Sequence, residues 1–254
     1  MQSGSSLPDH LNILRMGISM DCSNVEVEPR VAVIGVGGAG CNIVSYVYDG
    51  FPEADAIAVN TDKEALGRTR ADMKVYICKS VTIGEGAKGD SLLGRRCAQA
   101  HVEELENIIY HYDAVFIAAG MGGGHGTGAA PSIAEISQRL GKMTFAFAIS
   151  PFDFETARRN TASAGLTRLR SVCGNVISIE NENALRQMPD ASLNTVFKAV
   201  NRTISNVIAG SVKRIKSCFL EEIAGIWEEE AENRSSSQFN EAGIGSSDVM
   251  SDTN

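Results

Sequence analysis

The sequence has little that would suit the outside of a cell or a membrane. Its 254 residues include one tryptophan and six prolines, and aromatic residues make up 6%. The six cysteines, at positions 22, 41, 78, 97, 173 and 218, are scattered and form no Cys-x-x-Cys pair. That scatter suggests neither a disulfide framework nor a metal site. It sets the expectation of a reducing, cytoplasmic compartment. No run reaches the ~18 apolar residues of a membrane-spanning helix, so direct membrane insertion is not expected. The start, MQSGSSLPDHLNILRMGISMD, lacks the basic-then-apolar order of a secretory signal. Positive charge is also scarce. The net charge is −8, which disfavours a nucleic-acid partner, because such proteins carry a basic face.

What is present is an alternation. Residues 1–29 read as a polar N-terminal extension with a weak helix signal over Leu11–Met16. Order begins at RVAVIGVGGAGCNIV, where Val31–Ile34 is a short continuous apolar run, as in a parallel strand buried on both faces. Further strands are expected at Ala56–Val59, Lys74–Ile77, Ala114–Ala119, Thr144–Ile149 and Val176–Ile179. Helical patterns run from the first glycine cluster to about Val47, from Ser91 to Ile109, and from Glu155 to Val172. Strands alternating with helices imply an α/β fold with a doubly wound, mostly parallel sheet across residues 30–191. A central helix follows over 192–216, with Val196, Val200, Ile204 and Ile208 at helical spacing. Residues 217–254 read as an acidic helix and a polar tail expected to be disordered.

Two glycine clusters carry the chemistry. The first, Gly35-x-Gly37-x-x-Gly40, lies between a strand and a helix and has the bare spacing of a dinucleotide fingerprint. Taken alone, it fits an NAD-binding domain or a tight turn that binds nothing. The second, GMGGGHGTG from Gly120 to Gly128, is too long for a simple turn. Consecutive glycines ahead of a helix expose backbone N–H groups that can wrap phosphate oxygens at the positive helix end. Two such loops after parallel strands can face one crevice. No G-x-x-x-x-G-K-[ST] run occurs, which excludes a P-loop enzyme.

Over about Arg30 to Lys216 these motifs resemble the tubulin/FtsZ superfamily, and within it the FtsZ branch. GGGHGTG resembles the family's glycine signature, at Gly122, Gly123, Gly124, His125, Gly126 and Thr127. GVGGAGCN resembles its phosphate loop, at Gly37, Gly38, Ala39, Gly40, Cys41 and Asn42. AVNTD resembles a second loop ending at Asp62, and GEGAKGD a γ-phosphate loop with contacts at Ala87, Lys88 and Gly89. PFDFETARR resembles a ribose-binding run, putting Glu155 on the sugar and Arg159 nearby. IENENAL resembles a loop contacting ribose and base, with Asn181 in the matching place. SLNTVFKAVNRTI resembles the helix that meets guanine, with Phe197 and Asn201 as contacts. The resemblance implies GTP/GDP and Mg2+ as ligands. It also implies self-association or a full-length FtsZ-like partner.

The pattern departs from the family at four places. His125 replaces a threonine; its ring either pairs with phosphate when protonated or points neutral into solvent. GAKGDS brings Lys88 and Asp90 to the third loop. Arg202 stands where the family has a guanine-accepting aspartate, and arginine cannot accept a hydrogen bond. No N-x-D-x-x-D run follows the central helix, so no catalytic residue is assigned. The family's second domain is missing too, which fits either a fragment or a shortened relative. Three functions follow: an FtsZ-like GTP-binding protein with weak or partner-dependent hydrolysis, a nucleotide-free structural or regulatory partner of a filament, and an NAD-binding Rossmann protein.

Overall fold

The computed structural model describes residues 28–242. The helix signal at Leu11–Met16, Cys22 and the end of the tail beyond 242 lie outside the described residues.

Six strands form one parallel sheet: β1 Val31–Val36, β2 Asp55–Asn60, β3 Met73–Tyr76, β4 Ala114–Gly120, β5 Met143–Ser150 and β6 Val176–Glu180. Each coincides with an expected apolar run, shifted at the ends by one or two residues. The strand order is β3-β2-β1-β4-β5-β6, and every pairing is parallel. The chain therefore winds outward to β3, then returns to start the other half beside β1. That reversal between β1 and β4 is a topological switch point, where the strands' carboxyl ends leave a crevice.

The helices are α1 Gly37–Gly50, α2 Lys63–Arg68, α3 Lys79–Thr82, α4 Ser91–Ala100, α5 Val102–Tyr110, α6 Gly124–Arg139, α7 Thr156–Val172, α8 Asn181–Gln187 and α9 Leu193–Ala242. The sheet is apolar on both faces because both are covered. Ala32, Ile34 and Val36 of β1 face a core shared with α4 to α7. Val31 and Val33 face the opposite core, built with Ile43 and Val47 of α1 and Val200, Ile204 and Ile208 of α9.

Three expectations need correction. The helix over Ser91–Ile109 is two helices, broken at His101, whose Nε2 accepts from the Cys78 N–H at 2.9 Å. IENENAL is not a loop: its asparagine opens α8. The central helix does not stop at Lys216 but runs on through the acidic segment as one 50-residue element, about 75 Å at 1.5 Å per residue.

Candidate functional site

The crevice at the switch point is a cavity of about 630 Å3. Gly37, Gly38, Ala39 and Asn42 bring one side, at the start of α1. Gly123, Gly124, His125 and Gly126 bring the other, at the start of α6. Both helices open without a side-chain cap and with no acid in the first turn. Their first N–H groups therefore lack the usual Ser/Thr/Asp/Asn acceptor, and nothing on the first turn offsets the positive end of the dipole. Two other helices of the same domain, α2 and α4, are capped by a side chain. Asp62 accepts from the Ala65 N–H at 2.8 Å, and Asp90 accepts from the Leu92 and Leu93 N–H groups at 2.8 and 3.0 Å.

The glycines have different reasons to be there. Gly37 has φ +72°, and a Cβ on it would lie 2.9 Å from the Gly126 nitrogen, so it permits the two loops to touch. Gly40 is needed for packing: a Cβ there would stand 2.2 Å from the Ala118 carbonyl oxygen on β4. Gly38 and Gly123 have neither constraint, since a Cβ on either would meet nothing within 4 Å. These two keep the crevice side of the loops open.

The remaining walls are polar. Glu155, at the start of α7, accepts from Arg158 Nη1 at 2.7 Å and from the Phe152 N–H at 3.1 Å. Asn181 is buried, with its Oδ1 lacking a partner among the described residues. Along α9, Asn194, Phe197, Lys198 and Asn201 line the cavity at i, i+3, i+4 and i+7, a single helix face. The Phe197 ring packs edge-on against Phe152, with centroids 5.3 Å apart. Arg202 is exposed and lies off the lining, one residue out of phase.

The other residues singled out from sequence lie around the crevice rather than along its wall. Gly122 and Thr127 form the second loop's own frame, the Thr127 Oγ1 accepting from the Gly122 N–H at 2.8 Å. Cys41 is buried, and burial pushes its thiol up to about 11, so it behaves as a small packing group. Asp62 caps α2. Ala87 is buried beneath Gly124, where a Cβ on that glycine would meet it at 2.8 Å. Gly89 follows at φ +84°. Lys88 is ion-paired with Glu85, whose carboxyl it holds below the usual range. Arg159 pairs with Asp153 at 3.0 Å.

The crevice's cations are Arg68, Arg70, Arg158 and Lys198, none of them singled out from the sequence. Arg158 and Arg159 are i+3 and i+4 from Glu155, so spacing alone does not choose between them; Arg158 pairs with Glu155, whereas Arg159 pairs with Asp153. Arg68 and Arg70 reach the site across space from the end of α2 and the chain just beyond it. Arg70 is paired with Asp49, whose carboxyl it holds below the usual range.

His125 has the neutral ring of one expectation without its exposure. It is buried rather than solvent-facing, and neither ring nitrogen has a hydrogen-bond partner among the described residues. Desolvation lowers its pKa to about 4, against a smaller opposing pull from the Val59 backbone. At neutral pH the ring is uncharged and is no ready cation for a phosphate.

A doubly wound parallel sheet, with two uncapped glycine-led helices meeting at its switch point, defines a Rossmann-like α/β domain of the kind that takes ligands there. Comparison narrows the class. The model of the Tubulin/FtsZ family, GTPase domain, matches residues 30–189. Cell division protein FtsZ 2 of Haloferax volcanii is 36% identical over 184 residues, 72% of this chain and 46% of that protein. Cell division protein FtsZ 2 of Methanocaldococcus jannaschii is 38% identical over 189 residues, 74% and 50% of the two. An empty FtsZ dimer from M. jannaschii has a TM-score of 0.72 at 34% identity, covering 83% of this chain and 60% of that one. A GTPγS-bound protofilament of CetZ2 from Haloferax volcanii gives 0.66 at 26% identity, covering 72% and 58%. The chain belongs to the Tubulin/FtsZ family. It spans about half the length of the curated relatives it matches. No helix of the described residues is long and apolar enough to cross a membrane.

Proposed function

We propose that this chain binds a guanine nucleotide at the switch-point crevice and works with an FtsZ-like filament. The observation that carries this reading is the pair of uncapped, acid-free helix starts, α1 and α6, meeting through Gly37 and Gly126. Orphaned N–H groups aimed at one crevice suit a polyphosphate, and Gly38 and Gly123 leave room for it. Glu155 suits a ribose hydroxyl as acceptor, and Arg158 holds that carboxylate in place. The unpartnered Asn181 Oδ1 and the amides of Asn194 and Asn201 supply acceptors for the N1 and N2 donors of guanine. Because Arg202 is out of phase with them, it does not stand in the way of guanine reading. Among the described residues no group of three or more His, Cys, Asp or Glu side chains is placed to hold a metal ion. Magnesium would therefore ride on phosphate oxygens.

Phosphoryl transfer needs charge stabilisation and a positioned water. The crevice offers the first. The sequence has no N-x-D-x-x-D run after the central helix to orient the second. Hydrolysis by the chain alone is therefore slow, and a complete FtsZ-like relative stacked against it stimulates turnover. An NAD-binding role leaves the second glycine loop without a task. The test is acid release and identification of nucleotide from the purified protein, followed by phosphate-release assays with and without a full-length relative. Released GDP or GTP, with turnover appearing only in the mixture, supports the reading. Released NAD, or turnover unaffected by the relative, contradicts it.

A further inference from the structure

A second cavity, of about 660 Å3, lies at the opposite end of the sheet. Its floor is the start of β5, at Met143 and Phe145. One wall is α9, at Ile215, Cys218 and Phe219; the other is Pro29, one residue after the described chain begins. Met143 is 50% exposed at its edge. Apolar surface left open in a groove marks an interaction site.

The chain's entry is pinned at this groove. Lys216 Nζ of α9 donates to Glu28 Oε2 at 2.8 Å. The Arg30 N–H donates to Asp113 Oδ2 at 2.8 Å, and the Asp113 N–H donates back to the Arg30 carbonyl at 2.8 Å. Residues 1–27 therefore start at the groove's own wall. They carry Leu11, Ile13, Leu14 and Met16 within six residues. A segment tethered there meets the groove at an effective concentration in about the millimolar range, an advantage no separate chain has.

We propose that this groove is the docking site of the chain's own N-terminal segment, with Leu11, Ile13, Leu14 and Met16 covering Phe145, Ile215 and Phe219. The inference rests on the fold and the chain's entry point, not on nucleotide binding. Cys218 reports on it. Among the described cysteines it alone is exposed, and it stands in the groove wall.

The test uses the full chain carrying Cys22→Ser. The alkylation rate of Cys218 by N-ethylmaleimide is read from the mass of its peptide. A segment that occupies the groove nine-tenths of the time leaves about one-tenth open, so Leu11→Glu with Leu14→Glu raises the rate about tenfold. Met143→Glu, on the opposite side of the contact, raises it similarly, and combining all three adds little. Unchanged thermal midpoints show that the fold is intact. Equal rates in all variants overturn the proposal. So does protection that depends on protein concentration, which would mean that a second copy covers the groove.

Discussion

The two ends of the sheet are built on opposite principles. At the carboxyl end, two helices open on glycine with no side-chain cap among the described residues. At the amino end, apolar side chains are left without cover, between the start of β5 and α9. The first arrangement calls for an anion and the second for a hydrophobic segment. The same six strands serve both, because a parallel sheet directs all its helix starts to one end. Within the carboxyl end the glycines divide again, some holding the fold and some holding space open. Substitutions can separate those roles.

The largest effect is expected at Gly40. Gly40→Ala would force a methyl against the Ala118 carbonyl, where backbone must move. Unfolding by denaturant should show a loss of about 3 kcal/mol or more. A loss below about 1 kcal/mol would mean that α1 and β4 tolerate separation. Next is His125, whose neutral form is favoured by burial. Its folded pKa of about 4 lies below the unfolded value near 6.5. The stability it affects is therefore complete above pH ~6.5 and is lost as pH falls towards about 4. His125→Thr should remove that acid sensitivity, worth about 3 kcal/mol at its limit, when denaturation is followed from pH 7 to 4.

Gly38→Asp sharpens the contrast, because its two expected effects have opposite signs. An acid in the first turn of α1 stabilises the helix by about 0.3–1 kcal/mol. The same carboxylate repels a polyphosphate, and nucleotide affinity should fall at least about tenfold, or 1.4 kcal/mol. Equal affinity in calorimetry would place the phosphates elsewhere. The smallest effect is at α9. Arg202→Ala should leave guanine affinity within about twofold, whereas Asn201→Ala, on the lining face, should weaken it by about 1 kcal/mol.

Much of the fold was legible because parallel strands buried on both faces read as unbroken apolar runs, and glycine marks their ends. Val31–Ile34 and Ala114–Ala119 are recognisable on that ground alone. The break at His101 was not legible, because it depends on the Cys78 N–H, a contact 23 residues away. The continuation of α9 did leave a signal, since neither proline nor glycine interrupts Lys216–Ala224 and the acidic run that follows is itself a good helix former. In the site, the glycine loops announced themselves by composition. The cations did not, because Arg68 and Arg70 arrive from the end of α2 and the chain just beyond it, and Arg158 and Arg159, i+3 and i+4 from Glu155, differ only in the carboxylates they meet. His125 was misread because a loop position suggested exposure, whereas it stands in the first turn of α6 with its ring buried.

The central claim is that the crevice reads a guanine nucleotide. Calorimetric titration of the nucleotide-stripped protein with GTP and with ATP, in magnesium, tests it most directly. The account predicts GTP binding in the micromolar range and no detectable binding of ATP. Equal binding of both, or binding of neither, would contradict it.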